Sequence, residues 1–187
     1  MPISRIVSGG QTGADRGGLD AAIYCDLPHG GWCPKGRKAE DGAIPLEYRL
    51  QEMKSADYLK RTEANVVDSD ATLLVTYGRP TGGTRRTIDF AIKHGRPYHC
   101  VDLSLTTHDR AVRDVVKWLS GDPEFNEYED YAATPPADCV LNVAGSRESK
   151  AHGLQQATMR LVVDVLRTVN PECKSKYPVS GPQAPLN

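Results

Sequence analysis

The sequence predicts an α/β protein built on an open, mostly parallel sheet with helices on both faces. Short β-branched or apolar runs alternate with amphipathic stretches of helical length, the pattern of a sheet covered on two sides. Glycine-rich turns stand where three of those runs give way to a helix. At 187 residues, 39% hydrophobic and 25% charged, the chain has the size and composition of one domain with a core of its own. We assign residues 1–169 to that single ligand-binding domain and 170–187 to a tail.

Strands are expected at 3–8, 28–32, 71–77, 97–102 and 138–144, each a run of apolar and β-branched residues bounded by turn formers. Between them, apolar residues recur at three- and four-residue spacing: Leu19, Ala22 and Ile23; Ile88, Ala91 and Ile92; Val112, Val115, Val116 and Leu119; Leu154, Ala157, Leu161 and Val165. Each set forms one helical stripe that packs on the sheet. Residues 33–60, with Pro34, Gly36, Gly42 and Pro45 among many charges, read as a long excursion, followed by a short helix near Thr62 to Asp68. Residues 120–137 read as a second surface loop. Four prolines from Pro171 to Pro185 make the tail extended or disordered.

Chemistry gathers at the turns. The segment Ser8-Gly9-Gly10-Gln11-Thr12-Gly13-Ala14-Asp15-Arg16-Gly17-Gly18, with five glycines, joins the first strand to the first helix. Glycines there let main-chain N–H groups approach a ligand, and a helix N-terminus is partly positive, so the turn reads as an anion cradle. The alternative is a tight turn capped by Thr12, with Asp15 as its capping-box partner. A carboxylate at Asp15 would repel a phosphate there, so it faces a ligand hydrogen-bond donor or serves as a cap. A second turn, Thr81-Gly82-Gly83-Thr84, follows the third strand, and a third, Asn142 to Gly145-Ser146-Arg147-Glu148, follows the last. In a parallel sheet all three lie outside the carboxyl ends of the strands and converge on one crevice. The loop through Lys35, Gly36 and Arg37 leaves the second strand on that edge, and Lys35, Arg37 and Lys38 offer cations to phosphate oxygens; the alternative is a solvated charge run with no ligand.

Other chemistries fit less well. A formal charge of −1 and only twelve aromatic residues, two Trp, eight Tyr and two Phe, give no footprint for nucleic acid. The first turn lacks G-x-G-x-x-G and no acid ends the second strand, which excludes NAD. His29 and Cys33 are badly placed to share an ion, so no metal site is expected. Ser146 has no identifiable base for nucleophilic catalysis. Five dispersed cysteines without C-x-x-C suit a reducing cytoplasm. The absence of an apolar leader or membrane-length run predicts a soluble chain with no membrane partner.

Together, Gly9–Asp15, Trp32–Arg37, Pro80–Thr84 and Leu141–Ser149 resemble the molybdenum carrier, or molybdenum-cofactor carrier, family. That family belongs to a Rossmann-like group that includes the LOG-type nucleotide phosphoribohydrolases. The resemblance covers residues 3 to about 168. It implies a Rossmann-like, nucleotide-binding-like fold, usually a homo-oligomer, holding the molybdenum cofactor or a related anionic, ring-containing small molecule as cargo. The LOG-type relatives carry Pro-Gly-Gly-x-Gly-Thr-x-x-Glu, whose glutamate supports cleavage of the base–ribose bond. Here Thr87 stands in that place, and a hydroxyl cannot do a carboxylate's acid/base work. No catalytic residue is therefore assigned; were the protein a phosphoribohydrolase, Asp15 or Glu148 would supply the carboxylate.

Overall fold

The structure, a computed structural model, describes residues 2–122, 125, 134–171 and 173. Most of the expected 120–137 loop and of the tail lies outside the described residues. In chain order the elements are β1 (Ile3–Val7), α1 (Ala14–Tyr24), β2 (His29–Gly30), β3 (Trp32–Cys33), β4 (Lys38–Ala39), β5 (Gly42–Ala43), β6 (Gln51–Glu52), α2 (Tyr58–Val67), β7 (Ala71–Thr76), α3 (Gly82–Lys93), β8 (Tyr98–Asp102), α4 (His108–Ser120), β9 (Cys139–Gly145) and α5 (Leu154–Val169).

Five strands form one sheet in the order β2-β1-β9-β7-β8, and every pairing in it is parallel. All six residues of β7 are buried, as expected of a central parallel strand covered on both faces. Right-handed crossovers place the helix on one face when the chain steps one way along the sheet and on the other when it steps back. The helices sort accordingly: α5 packs against both α1 and α4, while α2 packs against α3. The main core lies between the sheet and the first of these layers, where Ile6, Leu141 and Val143 meet Leu161, Leu166 and Trp118.

Gly17 and Gly18 let α1 sit close to its neighbours. A Cβ on Gly17 would stand 2.5 Å from the Gln155 carbonyl oxygen, and one on Gly18 would stand 2.6 Å from Val143 Cβ. Two of the glycines that make the first turn conspicuous are thus explained by packing.

Three local expectations change. The run 28–32 is not one strand. Gly31, at φ 118°, turns the chain beside the Ser8 carbonyl, so only His29–Gly30 joins β1 while Trp32–Cys33 pairs with β6. The helix expected near Thr62 starts at Tyr58, because Asp57 caps it by accepting from Leu59 N–H at 2.9 Å. The 33–60 excursion is no loose loop: Ile44, Tyr48 and Leu50 build a second small core on Leu19 and Cys33. Arg37 ties it together by donating to the carbonyl oxygens of Ile44, Pro45, Tyr48 and Leu50 at 2.8–3.2 Å.

Candidate functional site

The carboxyl ends of β1, β9 and β7 open into a cleft of about 310 Å³, at the small end of the usual range for ligand pockets. Gly9, Gln11 and Asp15 line it from the first turn, Thr81–Thr84 and Thr87 from the start of α3, and Asn142, Ala144–Arg147 and Lys150 from the end of β9 and beyond. All three glycine turns therefore reach one place. A wider depression of about 610 Å³, between Tyr24, Leu27, His29 and Met159, lies at the far end of α1 and involves none of them.

The first turn, however, is filled by the protein itself. The α1 N-cap is Gly13, with no side-chain cap, so Thr12 does not close the turn and no capping box forms. Asp15 Oδ2 instead accepts from Gln11 N–H at 3.3 Å and from Arg61 Nη1 at 3.1 Å. Gln11 Oε1 accepts from Thr12 N–H at 3.0 Å and Glu40 N–H at 2.9 Å, and Thr12 donates its hydroxyl to Glu40. A Cβ at Gly9 would overlap the Arg61 guanidinium, one at Gly10 would press on Leu50, and one at Gly13 would strike the backbone of Ser146–Glu148. Asp15 thus does for the Gln11 amide, and Gln11 Oε1 for the Thr12 amide, what a bound anion would do. Burial pushes the Asp15 carboxyl above the ordinary value, against the pull of Arg61, the Gln11 amide and Arg147.

The third turn is also engaged. Ser146 N–H donates to the Val75 carbonyl, and its own carbonyl accepts from Ala14 N–H, both at 3.1 Å. Asn142, 2% exposed on the cleft floor, donates to Thr72 Oγ1 at 3.2 Å.

Only the second turn is open. α3 begins at Thr81 without a side-chain cap, and no atom lies within 4 Å of a Cβ built on Gly82 or Gly83. An uncapped helix N-terminus with bare amides attracts anions through both hydrogen bonding and its dipole. Arg147 and Lys150, exposed on the same cleft, add positive charge, and among the described residues no carboxylate ion-pairs with either.

Several sequence candidates are spent elsewhere. Arg16 donates to the Gly10 carbonyl at 3.1 Å and grips Asp41 with two bonds of 2.5 and 2.7 Å. Glu148 accepts from Gly153 N–H at 2.5 Å and Gln155 N–H at 2.9 Å, so its carboxylate caps the start of α5. Arg37 is consumed by the four carbonyls, and neither it nor Lys35 nor Gly36 lines the cleft. Sequence reasoning missed the wall supplied by α2, which is Tyr58, Leu59, Arg61, Thr62 and Asn65. Asn65 pins it by accepting from Trp32 N–H at 2.8 Å and donating to the Trp32 carbonyl at 3.0 Å.

Residues 6–166 match the circularly permutated YpsA SLOG family, and the chain belongs to that family. Among solved structures it is similar to a putative molybdenum carrier protein from Syntrophus aciditrophicus SB. Identity is 41% and the TM-score 0.75, with 88% of this chain and 94% of that chain covered. No curated protein matches. The permutation is visible in the sheet. Counted from β9 through β1, β2 and β7 to β8, the strand order reads 3-2-1-4-5, that of a doubly wound Rossmann sheet, with the switch point between β9 and β7. The cleft lies there.

Proposed function

We propose that the protein binds and carries an anionic, ring-containing small molecule, with the molybdenum cofactor as its cargo. The observation that carries this reading is the open start of α3 at the switch point, flanked by Arg147 and Lys150, cations with no ion-pair partner among the described residues. In the cargo complex the Gly82 and Gly83 amides, with the Thr84 side chain beside them, take the anionic group, and the two cations offset its charge. The name of the Syntrophus protein supports the choice of cargo.

A second reading, nucleotide hydrolysis of the phosphoribohydrolase type, draws on the buried Asp15 carboxyl beside the cleft. Against it, Thr87 lines the cleft where the relatives' glutamate belongs and donates its hydroxyl to the Gly83 carbonyl at 3.1 Å, while Asp15 is tied to Arg61.

Retention of released cofactor on a sizing column, with molybdenum measured in the protein peak, tests the first reading. Arg147→Ala should lower retention several-fold and Lys35→Ala should leave it unchanged. Free base released from nucleoside monophosphates by the wild type, and lost in Asp15→Asn, would favour the second reading instead.

A further inference from the structure

We infer that the first turn of α2 is the ring-recognition wall of the cleft. On this account Tyr58 and Leu59 select ligands in which a flat nitrogen heterocycle is joined to a phosphate, over the bare anion. The inference rests on the anion-binding reading above and adds to it the element that sets specificity.

Tyr58 and Leu59 are 39% and 46% exposed, although both line a cleft whose other walls are, apart from Ala144, glycine backbone and polar or charged side chains. Exposed apolar side chains scattered over a surface need no explanation. Two adjacent ones on the wall of a polar cleft give it an apolar side, and a tyrosine face is suited to stacking on a heterocycle. The wall is also fixed in position. Asp57 caps the helix at Leu59 N–H, and Thr62 donates to the Tyr58 carbonyl at 2.9 Å. One turn further on, Arg61 is bound to Asp15, and beyond it Asn65 is clamped to Trp32. A wall held at its start, middle and end loses little freedom when a ring settles on it, and such preorganisation raises affinity. The anion site belongs to α3 and the β9 turn, so ring and anion are recognised by separate elements, and their contributions separate by mutation.

The test uses adenosine 5′-monophosphate and inorganic phosphate as probes, titrated by calorimetry into wild type, Tyr58→Ala, Tyr58→Phe and Leu59→Ala. Wild type should bind the nucleotide at least ten-fold more tightly than phosphate. Tyr58→Ala should weaken nucleotide binding about ten-fold, the loss expected for one stacked ring. It should leave phosphate affinity within two-fold, and Leu59→Ala should do the same to a smaller degree. Tyr58→Phe, which keeps the ring face, should restore wild-type behaviour. Equal losses for both probes would reduce Tyr58 to a structural role and overturn the inference, as would no loss for either. Failure of the wild type to bind either probe would remove the anion-binding reading and this inference together, whereas retained phosphate binding with no nucleotide preference would remove the ring wall alone.

Discussion

Asp15 and Arg61 form the most consequential pair in the molecule. Their side chains are only 9% and 12% exposed and their atoms 3.1 Å apart, so each offsets the other's desolvation. Removing one partner of a buried pair leaves an uncompensated charge. Arg61→Ala should therefore destabilise the protein by about 3 kcal/mol at neutral pH. The Asp15 carboxyl already sits above its ordinary value, and loss of Arg61 raises it further. The deficit should shrink as pH falls and the carboxyl becomes neutral, which urea titrations at pH 7 and pH 5 would read. His99 shows the opposite sign. Burial lowers its pKa from 6.5 to about 4, its ring packing on Trp118 and Phe125, with Asp114 pulling weakly the other way. The unfolded chain takes up the proton near 6.5 and the folded chain near about 4. Its contribution is fully present above that window and is lost as pH falls through it, by up to about 3 kcal/mol. His99→Phe should flatten the stability profile between pH 6.5 and 4, and an unchanged slope would count against it.

Glycines at the scale of elements divide into those that let backbone and helices approach and those that face open space. Gly17 belongs to the first group, where α1 meets α5. Gly17→Val should cost roughly 1–3 kcal/mol through overpacking, measured as a lower denaturation midpoint. Gly83 belongs to the second. Gly83→Ala suits a helix and should hold or slightly raise the thermal midpoint, while its methyl obstructs the amides and weakens anion binding several-fold. The sequence showed both groups alike as one glycine-rich signal, because glycine marks a close approach without saying what approaches. Strands β1, β7, β8 and β9, and helices α1 and α3–α5, were legible because each writes a period into a contiguous stretch. The α2 wall was not. Tyr58 and Arg61 acquire their places from Asp57, Asp15 and Gly9, the last two more than forty residues away, and no local pattern records such partners. Arg37 misled for a related reason: among neighbouring charges it reads as a phosphate ligand, and only the folded excursion reveals four carbonyls around it.

Over the whole molecule, the strand order ties architecture to site. The chain enters the Rossmann sheet at what would be its second strand and supplies the first strand last. The two ends of the domain accordingly meet. Asn170 accepts from Ile3 N–H and donates to the Ile3 carbonyl, both at 2.9 Å, and Cys139 N–H donates to the Pro2 carbonyl at 3.3 Å. Joining residue 171 to residue 2 through a short flexible linker and reopening the chain between α4 and β9 should preserve the fold. That permutant should unfold cooperatively within a few degrees of the parent and bind the same ligand equally well. In either connectivity the switch point stays between β9 and β7, and the cleft with it.

One amide cradle is open, while the other two turns are closed by the protein's own groups. Backbone 15N chemical shifts followed during titration with adenosine 5′-monophosphate would report which of these amides a ligand reaches. Large, saturable shifts are expected at Gly82 and Gly83, and small ones at Gln11, Thr12 and Thr84, whose amides already have partners. Dominant shifts at Gln11 and Thr12, or none at Gly82 and Gly83 under saturating ligand, would contradict this assignment.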